Sequence, residues 1–273
     1  MKIGVRAHDY GKLTAEKLVE RIKGDGFEAI QLALPKAIEG IQNYLEVSEE
    51  EVEAIHRACK EAQLEVAVLG CYINPALLED EARAGEMKKF LRAMEMVKPL
   101  EAGCIGTETT HFYGTEEERE VAFKLLVDSV RQMVEKAELL GIDVGIEPVA
   151  YHTLNTPELT KRLLEEVPSE RLKIIFDPVN LLTAENVEKQ DELWERCFKC
   201  FGDKVCVIHM KSIAFNKQGE MEKPPLNEGI VHYDTIMAWL KVNKPDITLL
   251  REEIKPQEAM LDKKFMLGLI AQK

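Results

Sequence analysis

Eight short apolar runs alternate with eight helix-patterned segments along all 273 residues, and no unit breaks the order. The expected strands are 2–6, 27–34, 64–71, 104–107, 142–147, 172–177, 205–209 and 247–252. Helices are expected over 15–23, 48–63, 81–98, 115–141, from Thr156 onward, 187–201, 233–242 and 256–270. Their ends carry chemical signals. Thr14 is an N-cap, Ser48 and Thr115 open capping-box sequences, Pro157 occupies a first helical position, and Gly141 stops the longest helix. Phe123, Leu126, Val130 and Val134 recur at helical spacing. The strands are short and apolar, as parallel strands covered on both faces must be. Strict alternation implies one parallel sheet, and eight units over this length predict an α/β fold, a single (β/α)8 TIM barrel filling residues 1–273. The alternative, an open doubly wound sheet, usually carries a glycine-rich phosphate loop after an early strand. Neither GxGxxG nor GxxxxGK is present. No linker, charge block or low-complexity tract divides the chain, and the longest loop is 212–229.

Charge and cysteine usage narrow the function. There are 49 acidic against 36 basic residues, a formal net charge of −13. Such a surface repels phosphate backbones, so no nucleic acid partner is expected. The first ten residues lack the apolar core of a signal peptide, and no apolar run reaches membrane-spanning length. Cys71, Cys104 and Cys206 lie in or beside apolar runs, where a thiol acts as a small hydrophobe. Cys197 and Cys200 form a CxxC with no second copy, which reads as two positions on one helix rather than half a zinc site. A cytoplasmic protein with reduced thiols is expected. Homo-oligomerisation is compatible with such a barrel, but no apolar stripe in the sequence specifies it.

The chemistry concentrates at strand ends. In a (β/α)8 barrel the C-terminal ends of the strands form the active face. Glu147, Asp177, His209 and Glu252 end the fifth, sixth, seventh and eighth expected strands. Neighbouring strands lie about 5 Å apart, so four adjacent ends can meet at one ion. Three carboxylates and an imidazole suit one divalent ion, Mn²⁺, Mg²⁺, Co²⁺ or Zn²⁺. Taken singly, a strand-end carboxylate is usually a loop or cap residue, and a histidine after an apolar run is usually a hydrogen-bonded core residue. Four in consecutive units are different, because uncompensated buried carboxylates are costly and a cation removes the cost. Glu253 competes for the last role, but Glu252 shares a face with Leu250 under period-2 alternation. Lys211 shares a face with His209 and is expected to touch either substrate or a carboxylate. Glu108 and His111 end the fourth strand and His152 follows Glu147 by five; these are candidate pocket residues, ahead of His8 and Asn74. Tyr72, Phe112 and Tyr151 are candidate apolar walls.

Five segments carry a family resemblance: Ile146-Glu147-Pro148, Phe176-Asp177-Pro178-Val179-Asn180-Leu181, Ile208-His209-Met210-Lys211, Leu226-Asn227-Glu228-Gly229 and Leu250-Arg251-Glu252. In these the chain resembles the xylose isomerase-like TIM barrels, the sugar phosphate isomerase/epimerase group. The resemblance implies one divalent ion held by Glu147, Asp177, His209 and Glu252, with Glu147 and Glu252 also serving as acid and base. It implies 1,2-isomerisation or C3 epimerisation of a small polyhydroxy ketone through an enediolate. A lyase of the inosose dehydratase type is the alternative on the same fold, followed by an apurinic endonuclease-like hydrolase and a non-catalytic sugar-binding barrel. Two departures stand out. Asn180 occupies a position where many members carry histidine, and Ser212 one where many carry aspartate. The endonuclease branch needs such extra ligands for three zinc ions. Asn180 joins the candidate substrate-binding residues.

Overall fold

Every expected barrel strand forms, and the set closes on itself. The structure is a computed structural model that describes residues 1–216 and 220–272. The strands β1 (Lys2–Arg6), β2 (Ala29–Leu32), β3 (Glu65–Gly70), β4 (Cys104–Glu108), β5 (Val144–Glu147), β6 (Leu172–Phe176) and β7 (Val205–Met210) pair in parallel in that order. After β7 comes a small antiparallel hairpin, β8 (Ala214–Phe215) and β9 (Met221–Glu222). Then β10 (Thr248–Arg251) closes the barrel between β7 and β1. Part of the expected 212–229 loop, residues 217–219, lies outside the described residues.

The helices are α1 (Ala15–Gly24), α2 (Leu34–Ala37), α3 (Glu49–Glu61), α4 (Asp80–Met94), α5 (Glu116–Leu140), α6 (Pro157–Glu166), α7 (Gln190–Phe201), α8 (Tyr233–Asn243) and α9 (Ala259–Ala271). The expected caps form. Ser48 and Thr115 make complete capping boxes with Glu51 and Glu118. Gly141, at φ 63°, closes α5 in the left-handed region that glycine tolerates. Two expectations are corrected. The helix read as 81–98 ends at Met94: Glu95, Met96 and Val97 N–H bond three residues back, to Arg92, Ala93 and Met94 O, and Pro99 has no N–H to continue the ladder. The helix read as 187–201 begins at Gln190, after a 3-10 turn over Val187–Lys189. The buried Gln190 amide there donates to Ile230 O and accepts from His232 N, which ties the helix start to a neighbouring loop. Cys197 and Cys200 lie on α7, and all six cysteines are free. No helix among the described residues is long and apolar enough to cross a membrane.

The core has two parts. Between barrel and helices, Phe176 meets Trp194, Phe198 and Phe201 edge-on at 6.0, 5.7 and 5.7 Å, locking β6 to α7. Inside the barrel, Ala29, Ala67, Val68, Cys104, Ile175, Val207 and Leu250 form a second apolar cluster. Gly145 exists to admit Ile175, since a Cβ there would lie 2.8 Å from Ile175 Cγ1. Two residues beyond these interior positions, the chain reaches the mouth. Gly106 leads to Glu108, Gly145 to Glu147, Ile175 to Asp177, Val207 to His209 and Leu250 to Glu252. Period-2 alternation therefore lays a polar layer directly on an apolar plug.

Candidate metal centre

The strand-end groups of β5, β6 and β7 are buried together. Glu147, Asp177 and His209 are 2%, 0% and 0% exposed, and each offers a ligand atom within 4.8 Å of the other two. Bonds of about 2.1 Å to one shared ion nearly span that spacing. Glu252 stands outside this closest set, but its Oε1 lies 3.4 Å from His209 Nδ1, beside Glu147 Oε2 at 3.3 Å. Neither approach has hydrogen-bond geometry, and both ring nitrogens of His209 are buried with no hydrogen-bond partner. Asp177 Oδ2, buried beside it, has the Lys211 ammonium at 2.8 Å as its charge partner. Orphaned imidazole nitrogens beside converging buried carboxylates are a donor set for a divalent cation, so these residues fit the expected ion. No second set of this kind appears among the described residues.

Side-chain cations neutralise the rest of the cluster. Lys211 Nζ lies 2.8 Å from Asp177 Oδ2 and 3.1 Å from Glu252 Oε2, and donates to Asn180 Oδ1 at 3.0 Å. Asn180 Nδ2 in turn donates to Glu147 Oε1 at 2.6 Å. Arg6, from the end of β1, reaches Glu252 Oε2 at 3.3 Å and clamps Asp9 through Nε and Nη2. Burial resists ionisation of Glu252, yet His209, Lys211 and Arg6 together hold its carboxyl down at about 2. Burial likewise opposes the imidazolium of His209, but Glu252 and Glu147 lift it to about 9. Asp177 is pushed up to about 6 by burial against the pull of Lys211. Glu108 is pushed up to about 7 by burial and the neighbouring Glu147.

The family of xylose isomerase-like TIM barrels matches residues 19–263. The chain belongs to that family. No curated protein matches the sequence. Among solved structures, a D-tagatose 3-epimerase-like protein is similar at 18% identity and TM-score 0.80, covering 99% of this chain and 97% of the other. A xylose isomerase-like TIM barrel protein from Mycobacterium smegmatis, in complex with magnesium, is similar at 14% identity and TM-score 0.75, covering 98% and 96%. A probable 3-DHS dehydratase from Bacillus anthracis is similar at 20% identity and TM-score 0.73, covering 98% and 99%. At these identities the likeness shows the fold.

Within this xylose isomerase-like barrel the candidate residues separate into groups. Glu147, Asp177, His209, Glu252, Lys211 and Asn180 are brought together. Glu108 adjoins them, with His152 Nε2 at 3.9 Å from its Oε2. His111 stands further out, bridged to His152. Tyr72 is half-buried near the carboxylates, Phe112 lies under the Arg119 guanidinium at 4.3 Å, and Tyr151 is exposed. Asn74 is exposed with its N–H on Glu86, and His8 is half-buried beside Arg6. Glu253 turns away at φ 59° to pair with Lys223, leaving the inward position to Glu252. Sequence reasoning missed Arg6, Asp9 and the buried Gln31, whose amide donates to the Tyr72 hydroxyl. For two of them the signal was available: Gly4 and Ala29 precede Arg6 and Gln31 by two, the spacing that marks the other mouth residues. Ser212, at the family's aspartate position, spends its hydroxyl on Pro225 O.

Proposed function

We propose that this barrel is a divalent-metal-dependent isomerase or epimerase of a small keto sugar, with Glu147 and Glu252 as the acid and base. The observation that carries this reading is the buried convergence of Glu147, Asp177 and His209, with Glu252 against the same imidazole. When bound, the ion would supply polarisation of a substrate carbonyl and its neighbouring hydroxyl, which makes the adjacent carbon acid. Glu147, Asp177, His209 and Glu252 would hold it. The chain's own groups do the proton work. Glu147 is steadied by a neutral amide that donates from Asn180 to its Oε1, and its Oε2, beside His209, would take a proton from carbon. Glu252 is gripped by Lys211 and Arg6, two cations that favour its ionised form, so it would return to carbon only a proton first received from substrate or solvent. Two carboxylates, both beside His209 Nδ1 but carried by different strand ends, supply the two acid–base groups that inversion at carbon requires. The structural likeness to a D-tagatose 3-epimerase-like protein agrees with this chemistry.

A lyase reading rests on Lys211. Its ammonium, held by Asp177 and Asn180, would protonate a departing hydroxyl after the same first proton abstraction. One experiment separates the two. Metal-replete protein is incubated with a ketose panel in D₂O, and products are followed by NMR and mass. Carbon-bound deuterium with retained mass formula supports the isomerase or epimerase. Loss of water supports the lyase. No exchange at any carbon across the panel contradicts both.

A further inference from the structure

The loops after β4 and β5 are joined into one rim beyond Glu108 and Glu147. His111 and His152 face each other in an antiparallel bridge. Phe112 N donates to Tyr151 O at 3.0 Å, and Thr153 N donates to Thr110 O at 2.8 Å. Arg119 fastens the outer side, donating from Nη1 to His152 O at 2.7 Å while its guanidinium covers Phe112. Phe112 takes the side under Arg119, while the rings of His111, Tyr113 and His152 pack together as a second face.

That second face is continuous with the candidate metal centre. Glu108 is the register partner of Glu147. His152 Nε2 lies 3.9 Å from Glu108 Oε2. The His111 ring centroid is 5.2 Å from that of His152, and the Tyr113 ring is 4.4 Å from His111. The path thus runs from a carboxylate through two imidazoles to a phenol that is 86% exposed. Arg119, the cation that touches this rim, is committed to His152 O, Glu116 and the Phe112 ring, so an anionic group finds no free partner in it. Ring faces that pack against C–H surface, beside a carboxylate and imidazole nitrogens that bind hydroxyls, are the chemistry that recognises a neutral pyranose.

We propose that Glu108, His152, His111 and Tyr113 form a second sugar subsite. The substrate is then a two-ring compound, a keto glycoside or disaccharide. Its reacting ring lies at Glu147 and Glu252, and its neutral second ring stacks on His111 and Tyr113. Assignment of the reacting ring rests on the isomerase or epimerase reading above; the subsite itself does not.

The test is binding without turnover. Saturation-transfer NMR and calorimetry on the metal-free chain compare cellobiose, maltose, lactose and melibiose with the corresponding methyl glycosides. At least one disaccharide should bind on the order of tenfold more tightly than its methyl glycoside. A His111→Ala/Tyr113→Ala double variant, checked for an unchanged melting temperature, should bring the two to parity. Parity in the parent protein for all four pairs, or an advantage that survives the double variant, overturns the subsite. A disaccharide advantage with no carbon–deuterium exchange on any keto sugar would retain the subsite and remove the catalytic reading. Exchange on monosaccharides without a disaccharide advantage would do the reverse.

Discussion

Glu147 and Glu252 touch the same imidazole but are held by opposite means, one by an amide and the other by two cations. If they are the acid and base, Glu147→Gln and Glu252→Gln should each lower kcat by about 10²–10⁴-fold with the fold intact by circular dichroism. A variant retaining parental kcat would remove that residue from the chemistry. Glu108 offers a pH test. Its folded carboxyl sits at about 7 against an ordinary 4.5, so the folded state binds the extra proton between those values. Stability from this group is full below pH 4.5 and declines as pH rises to 7. In chelator, urea denaturation of Glu108→Gln should therefore show a smaller loss of stability across that window than the parent shows; equal slopes would contradict the assignment. At this scale the sequence revealed residue type and strand-end position, which is why four candidate ligands were legible. Arg6 was not, because a search for groups that bind cations passes over the cations that replace them.

Elements were legible where their own residues dictate them and obscure where distant contacts do. Capping boxes at Ser48 and Thr115 depend on residues three apart, and both were readable. The single turn α2 has only Pro35 in its first turn and the β8–β9 hairpin has no capping box, so neither was read. The inward aim of Glu252 depends on its neighbour Arg251, whose guanidinium is buried beneath α9 with Nε 2.6 Å from Asp262 Oδ2. Asp262 also accepts Leu226 N at 2.7 Å, so one carboxylate ties β10, α9 and the loop before α8. Removing either partner strands a buried charge, so Arg251→Met or Asp262→Asn should each cost about 3–5 kcal/mol in chemical denaturation. A loss below about 1 kcal/mol would show the pair to be dispensable. Gly145→Ala probes the interior plug. Its Cβ would collide with Ile175, and overpacking should cost about 1–3 kcal/mol, partly recovered by adding Ile175→Val.

Across the whole molecule, the barrel converts a one-dimensional alternation into a two-layer interior, apolar below and ionisable above. The closed topology was legible because eight apolar runs and their helices leave no edge strand to cover. Convergence of the strand ends followed from closure, whereas the rim that joins the β4 and β5 loops did not, since an antiparallel bridge between His111 and His152 has no sequence period. A burial-poised donor set should also respond to its ion. With manganese at about 100 times its dissociation constant, stability should rise by about 2.7 kcal/mol and fall back on chelation. The most direct measurement is anomalous diffraction from crystals soaked in manganese. One peak per chain, bonded to Glu147, Asp177, His209 and Glu252, is the predicted result. No peak among these four side chains, or a peak that leaves His209 unbonded, would contradict the account.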